Sequence, residues 1–143
     1  MSAPVEVVTV GETMAMMVPE SGRTLADTPV LAIHAGGAES NVATYLARMG
    51  VPVRWASVMS DDPLAHRILA EVGAAGVDVS AVDWGEGQTG IYLKNPGTES
   101  TTVFYYRNRS ASRRLDPTIW DDQRLRDSRV LHLTGITPAL SDT

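Results

Sequence analysis

No cysteine occurs among the 143 residues, so disulfides and thiolate-held metals are excluded. Positive charge is in short supply: 12 Lys and Arg stand against 17 Asp and Glu, a net −5 at pH 7. That balance argues against nucleic acid or an anionic membrane as partner. Seven of the 12 cations do fall between Arg107 and Arg129, and the plain reading of that run is a solvated surface segment. No stretch approaches the roughly 18 apolar residues of a membrane helix. The N-terminal "MSAPVEVVTV" has no basic region ahead of its short apolar run. A soluble, cytoplasmic protein is expected. The phosphate loop G-x-x-x-x-G-K-[ST] is also missing. What remains is an ordinary globular composition, 43% hydrophobic and 20% charged, with about one domain's length in which to bury a core.

"VEVVTVG" (Val5 to Gly11) reads as a short buried strand ending at a glycine. "TMAMMV" and "VLAIHA" are two further apolar runs separated by the turn-rich "PESGRTLADTP". In "HAGGAESNVATYLARMG" (34 to 50), Val42, Leu46 and Met49 recur at helical spacing, and Gly50 suits a C-terminal cap. "VRWASVM" is the next strand. "DDP" then offers Asp62 as N-cap and Pro63 at the first helical position, ahead of an apolar stripe of Leu64, Ile68, Leu69 and Val72. "VDVSAVDW" resumes strand character. Strand, helix, strand, helix, strand is the order of a parallel sheet with crossover helices. The two early runs stand outside that alternation, and so do "TGIYLK" and "TTVFYYRN", which read as a hairpin joined by "NPGTES". A short helical region is expected around Trp120 to Leu125, then a last core strand in "RVLHLTG". Eight residues later the chain stops, so an unfinished sheet is expected.

Four of the eight aromatic residues, Tyr92, Phe104, Tyr105 and Tyr106, fall on the hairpin. Alternation puts Val103, Tyr105 and Arg107 on one face, and Tyr92 can project toward them from the facing strand. Two phenols and a guanidinium suit a small polyol bearing an anion, because tyrosine stacks on carbon and hydrogen-bonds hydroxyls while arginine forks onto a carboxylate. The same pattern also suits a purely structural ladder of aromatic cross-strand pairs. Gly36-Gly37 either turns the chain or lets a ligand lie against bare backbone at a helix start; the pair lacks dinucleotide-loop spacing. Asn41, a poor helix former able to donate and accept, can hold a ligand hydroxyl if it points into the glycine turn. His34, His66 and His132 have no metal-ligand partner at helical spacing and read as structural, as Asp61-Asp62 reads as a cap and Met14, Met16 and Met17 as core.

Taken together, "VGE" after the first strand, "GGAESNVATYLARMG", "SDDP" and "GVDVS" resemble the N-terminal half of ribokinase-like (PfkB) carbohydrate kinases. "TGIYL", "VFYYRNRSA" and "LHLTGITPAL" are similar to the 2-keto-3-deoxygluconate kinase subgroup. Ser60 and Ala65 stand where many members have glycine, and Met16 where ribose-type members carry a sugar-binding Asp, which favours a keto-deoxy acid over ribose or adenosine. The resemblance implies an α/β fold: a ribokinase-like, Rossmann-type core sheet with crossover helices and a small β-sheet lid, here incomplete, with the C-terminal half missing. Residues 1–143 would be the N-terminal part of one kinase domain, with lid segments at about 12–35 and 87–108 and core segments at 1–11, 36–86 and 109–143. Gly36, Gly37 and Asn41 would contact the sugar acid from the core, and Tyr92, Tyr105 and Arg107 from the lid, with Arg107 on the carboxylate. ATP and Mg²⁺ would serve phosphoryl transfer, their sites and the catalytic Asp lying outside this chain, so that 143 residues alone would be inactive. A homodimer through the lid is implied as well. The alternatives are another sugar kinase of the family, such as a fructokinase, and a truncated non-catalytic module that binds sugar or dimerises.

Overall fold

A computed structural model describes residues 4–126 and 128–139. The ends of the expected core segments, including the close of "LHLTGITPAL", lie outside the described residues. In chain order the elements are β1 (Val7–Val10), β2 (Met14–Pro19), β3 (Leu31–Gly36), α1 (Ala38–Arg48), β4 (Val53–Met59), α2 (Pro63–Ala74), β5 (Asp78–Trp84), β6 (Ile91–Pro96), β7 (Thr101–Tyr106), α3 (Gln123–Arg126) and β8 (Val130–His132). Short 3₁₀ turns occupy Ala111–Arg114, Pro117–Asp121 and Thr137–Ala139. The helical region expected around Trp120 is thus a 3₁₀ turn followed by one turn of α-helix.

Two sheets result. The first is parallel, in the order β5-β4-β1-β8, as the strand–helix alternation requires. The runs that fell outside the alternation gather into the second, ordered β3-β2-β6-β7, with the β2–β3 and β6–β7 pairs antiparallel and β2–β6 parallel. The chain therefore crosses between sheets four times: after β1, after β3, after β5 and after β7.

One face of the parallel sheet packs Val53, Trp55 and Met59 against Ala43 of α1 and Ala65, Ile68 and Val72 of α2. The indole N–H of Trp55, fully buried, donates to the Gly11 carbonyl at 3.1 Å. From the second sheet Ala15, Ile33, Ala35 and Ile91 join this core, so by alternation their neighbours Met14, Gly36 and Tyr92 face the other way. The opposite face of the parallel sheet buries Val8, Val10, Ala56 and Ala81 under Leu125. Of the stripe expected on α1, Leu46 packs against the core around Trp55, but the rest needs correction. Glu39, Ser40 and Ala43 are its buried residues, and Met49 is 77% exposed. Small side chains let α1 lie close to β1 and β4, and Met49 is already the C-cap, past the last helical turn. At the far edge, β8 pairs with β1, and Val130, Leu131 and Leu133 are exposed among the described residues.

The turn before α2 is a cap of unusual reach. Asp62 accepts from the Leu64 and Ala65 N–H groups at 2.9 and 3.0 Å, and Pro63 opens the helix as expected. It also accepts the Ser60 hydroxyl at 2.6 Å and the Thr89 N–H and hydroxyl at 2.9 and 2.8 Å, which ties the cap to the crossing after β5. Burial alone would raise its pKa, but these donors outweigh burial and lower it from 3.8 to about 2. The stabilisation is therefore complete above the unfolded value near pH 4 and is lost as pH falls through about 2. Asp62→Ala should cost about 2 kcal/mol at pH 7, the upper end for an N-cap. Thermal denaturation of wild type and variant at pH 7 and pH 3 checks this; a difference that does not shrink at pH 3 contradicts it.

Candidate functional site

The start of α1 faces the inner surface of the second sheet across a cavity of about 250 Å³. Gly36, Gly37, Asn41, Tyr92, Tyr105 and Arg107, the six residues singled out from the sequence, all line it, together with Glu12, Met14, Glu39, Lys94 and Ile136. Tyr92 and Tyr105 stand opposite each other in the β6–β7 register, their ring centroids 5.7 Å apart and tilted by 33°. The Arg107 guanidinium lies 5.3 Å from the Tyr105 ring centre, within cation–π range. Burial, and secondarily Tyr105, pushes the Tyr92 phenol above its ordinary value, so it stays a protonated donor at neutral pH.

Both glycines are there because something approaches them closely. A Cβ on Gly36 would collide with the Tyr92 hydroxyl. One on Gly37 would strike the Glu12 carbonyl oxygen and stand 2.6 Å from the Thr13 hydroxyl. Gly37 is also the N-cap of α1 and supplies no side chain to cap it, so the helix meets the cavity with its positive end. Asn41 is exposed on the cavity rim, one turn into the helix, where its N–H donates to the Gly37 carbonyl at 3.0 Å.

The ionisable side chains are unevenly partnered. Glu39, buried, accepts the Thr134 N–H at 3.1 Å and the Thr134 and Thr137 hydroxyls at 2.6 and 3.0 Å. Glu12, equally buried, accepts Arg107 at 3.1 Å and the Ser110 hydroxyl. Lys94 has no carboxylate within ion-pair distance among the described residues. The cavity thus offers one cation with no carboxylate partner, one half-exposed guanidinium with donors to spare, phenol donors and a helix N-terminus. That set suits a small anion carrying hydroxyl groups.

Sequence reasoning missed Glu12, Met14, Glu39, Lys94 and Ile136 as cavity residues. Lys94 was within reach, since it follows Tyr92 by two positions on the same strand face. Met14 is core, as expected, and floor of the cavity besides. The other residues set aside stayed apart from it: Asp61 pairs with His66 at 2.7 Å on the surface, and His132 sits on β8. A G-x-G-x-x-G spacing does occur at Gly85, Gly87 and Gly90, but it leads into β6, so no helix start follows it to receive a pyrophosphate. Among the described residues no group of three His, Asp or Glu side chains is placed to hold a metal.

The parallel sheet with its crossover helices, the added four-stranded sheet and the cavity between them define a sugar-kinase fold, and residues 5–143 match the pfkB family carbohydrate kinase model. The chain belongs to that family. It is 39% identical over 139 residues to a 2-dehydro-3-deoxygluconokinase of Bacillus subtilis, covering 95% of this chain and 43% of that protein. A 2-dehydro-3-deoxygalactonokinase of Haloferax volcanii is 34% identical, with 96% and 44% covered. The crystal structure of a 2-dehydro-3-deoxygluconokinase from Thermotoga maritima superposes with a TM-score of 0.90 at 30% identity, covering 96% of this chain and 43% of the other. The chain spans less than half the length of these relatives.

Proposed function

We propose that this chain is the sugar-binding portion of a longer, ATP-dependent kinase that phosphorylates 2-keto-3-deoxygluconate or a related keto-deoxy sugar acid. The single observation that carries the reading is the convergence of Tyr92, Tyr105 and Arg107 from one sheet on Gly36, Gly37 and Asn41 from the other, around one cavity. In this reading the sugar carbons lie between the phenols and the bare glycine backbone. Asn41 and Tyr92 hold hydroxyls, and Arg107 takes the carboxylate while Lys94 adds positive field. Segments 12–35 and 87–108 then act as a lid over the sugar. Excluding water there strengthens each of these polar contacts.

In this reading the phosphoryl donor, Mg²⁺ and the catalytic base belong to the part of the kinase that lies beyond the 43–44% of the relatives' length matched here, and the 143 residues alone are expected not to turn over. The lid's outer face, with Phe104 45% and Tyr106 59% exposed, supports a homodimer through this sheet. No helix among the described residues is long and apolar enough to cross a membrane, which accords with a cytoplasmic enzyme.

The test is turnover by the full-length protein, followed by ADP release, with 2-keto-3-deoxygluconate, its galactonate epimer and fructose. One or both acids should exceed fructose in kcat/KM by about 10²-fold or more, because a neutral sugar leaves the cations unanswered. Fructose equal to or better than both acids would contradict the reading and favour a fructokinase.

A further inference from the structure

We infer that Glu12 is the positioning residue of this site: its buried carboxylate holds the Arg107 guanidinium at the angle from which it meets an acidic ligand. The inference rests on the sugar-acid reading above and adds to it a residue that never touches the sugar carboxylate.

Glu12 sits on the first crossing between the sheets, just after β1, and its side chain is 2% exposed. One carboxylate oxygen accepts Arg107 Nη1 at 3.1 Å; the other accepts the Ser110 hydroxyl. Arg107 and Ser110 both belong to the last crossing, after β7. The other two crossings close on the same residue. A Cβ on Gly90 would lie 3.0 Å from Glu12 Oε1 and 3.2 Å from Arg107 Cβ, and one on Gly37 would overlap the Glu12 carbonyl oxygen. All four crossings thus gather around Glu12, and the side chain they enclose ends on the guanidinium.

The physical effect is preorganisation. Arg107 is half-exposed and long, and a free arginine gives up much rotamer freedom when it binds. Glu12 takes one of its five N–H donors and the Tyr105 ring lies beneath the guanidinium, so the side chain is held at two points where it lines the cavity and has donors to spare for a ligand. The carboxylate also repels an incoming anion. That repulsion is offset because Glu12's charge is shared between Arg107 and Ser110, while Lys94 faces the same cavity with no carboxylate of its own among the described residues. Orientation and repulsion predict opposite changes in KM, so one substitution separates them.

The experiment measures KM and kcat of the full-length enzyme for the keto acid in wild type, Glu12→Gln, Arg107→Met and the double variant. Glutamine keeps the shape, but its one acceptor oxygen replaces the two that serve Arg107 and Ser110, and it carries no charge to pair with the guanidinium. Glu12→Gln should raise KM about tenfold with kcat within about twofold, the low end for the loss of one hydrogen bond between charged groups. In the Arg107→Met background the same change should add less than about twofold, since the two act through one contact. An unchanged or lowered KM in Glu12→Gln would overturn the proposal. So would a tenfold rise that persists without Arg107, which would mean a hinge effect independent of the guanidinium. Should Glu12→Gln fail to fold, Ser110→Ala frees the other carboxylate oxygen and should raise KM about threefold; no rise overturns the proposal. Wild type that ignores the keto acid overturns the sugar-acid reading, and this proposal with it. Wild type that uses the acid while Glu12→Gln matches it overturns this proposal alone.

Discussion

Arg107→Met in the full-length enzyme should raise KM for the keto acid by about 10²-fold and leave KM for a neutral sugar within a few-fold. Hydrogen bonds to a charged group contribute about 1.5–3 kcal/mol each, and a forked pair lost together comes to roughly two powers of ten. Methionine keeps an apolar stem against the Tyr105 ring, so the packing loss is small. A second consequence follows from the ion pair. Without Arg107 the Glu12 carboxylate, 2% exposed, keeps the Ser110 hydroxyl as its remaining donor. A buried charge stripped of its partner costs about 3–5 kcal/mol of stability. The melting temperature of Arg107→Met should therefore drop, and the Glu12→Gln/Arg107→Met double variant should recover most of that loss while keeping the raised KM. Kinetics read well below the melting temperature, on acid and neutral sugars side by side, check both halves. Acid and neutral sugars weakening in parallel would show that Arg107 is structural only.

Gly37→Ala should be nearly as damaging by a different route. The new methyl group would meet the Glu12 carbonyl oxygen, Thr13 Oγ1 at 2.6 Å and Ser40 Oγ at 2.8 Å. The first of these is backbone at the crossing after β1, so relief requires α1 and the second sheet to move apart. Overpacking of this kind costs about 1–3 kcal/mol. The larger effect is on the site, where a displacement near 1 Å between two groups that hold one substrate can cost about 10²-fold in rate. Turnover should fall by about that factor for acid and neutral sugars alike, in contrast to Arg107→Met. Wild-type turnover in Gly37→Ala would mean that the glycine merely turns the chain.

The legible parts of this molecule are those governed by local rules. Alternation along a strand was enough to put Tyr105 and Arg107 on one face, and a hairpin turn at Pro96-Gly97 brought Tyr92 opposite them. Asp62 followed by Pro63 declared a helix start without reference to anything distant. Contacts between remote segments left no such trace. Glu12 meets Ser110 across 98 positions, and Thr89 reaches Asp62 across 27. Neither pairing has a periodicity or a motif of its own. On α1 the hydrophobic rule found Leu46, which packs on the core, and misled elsewhere. The helix buries Glu39 and Ser40 because their hydrogen bonds are met inside, and it buries Ala43 because small side chains allow close approach to the sheet. Val42 and Met49 looked like the core face only because apolar character was counted without regard to size or to the polar partners waiting at the helix start.

A crystal structure of the full-length protein with 2-keto-3-deoxygluconate bound tests the central claim most directly. The account predicts the ligand carboxylate at about 3 Å from the Arg107 guanidinium, its carbon chain between Tyr92, Tyr105 and the Gly36-Gly37 backbone, and Glu12 still holding the arginine from behind. A keto acid seated elsewhere, or seated here with its carboxylate turned away from Arg107, would contradict it.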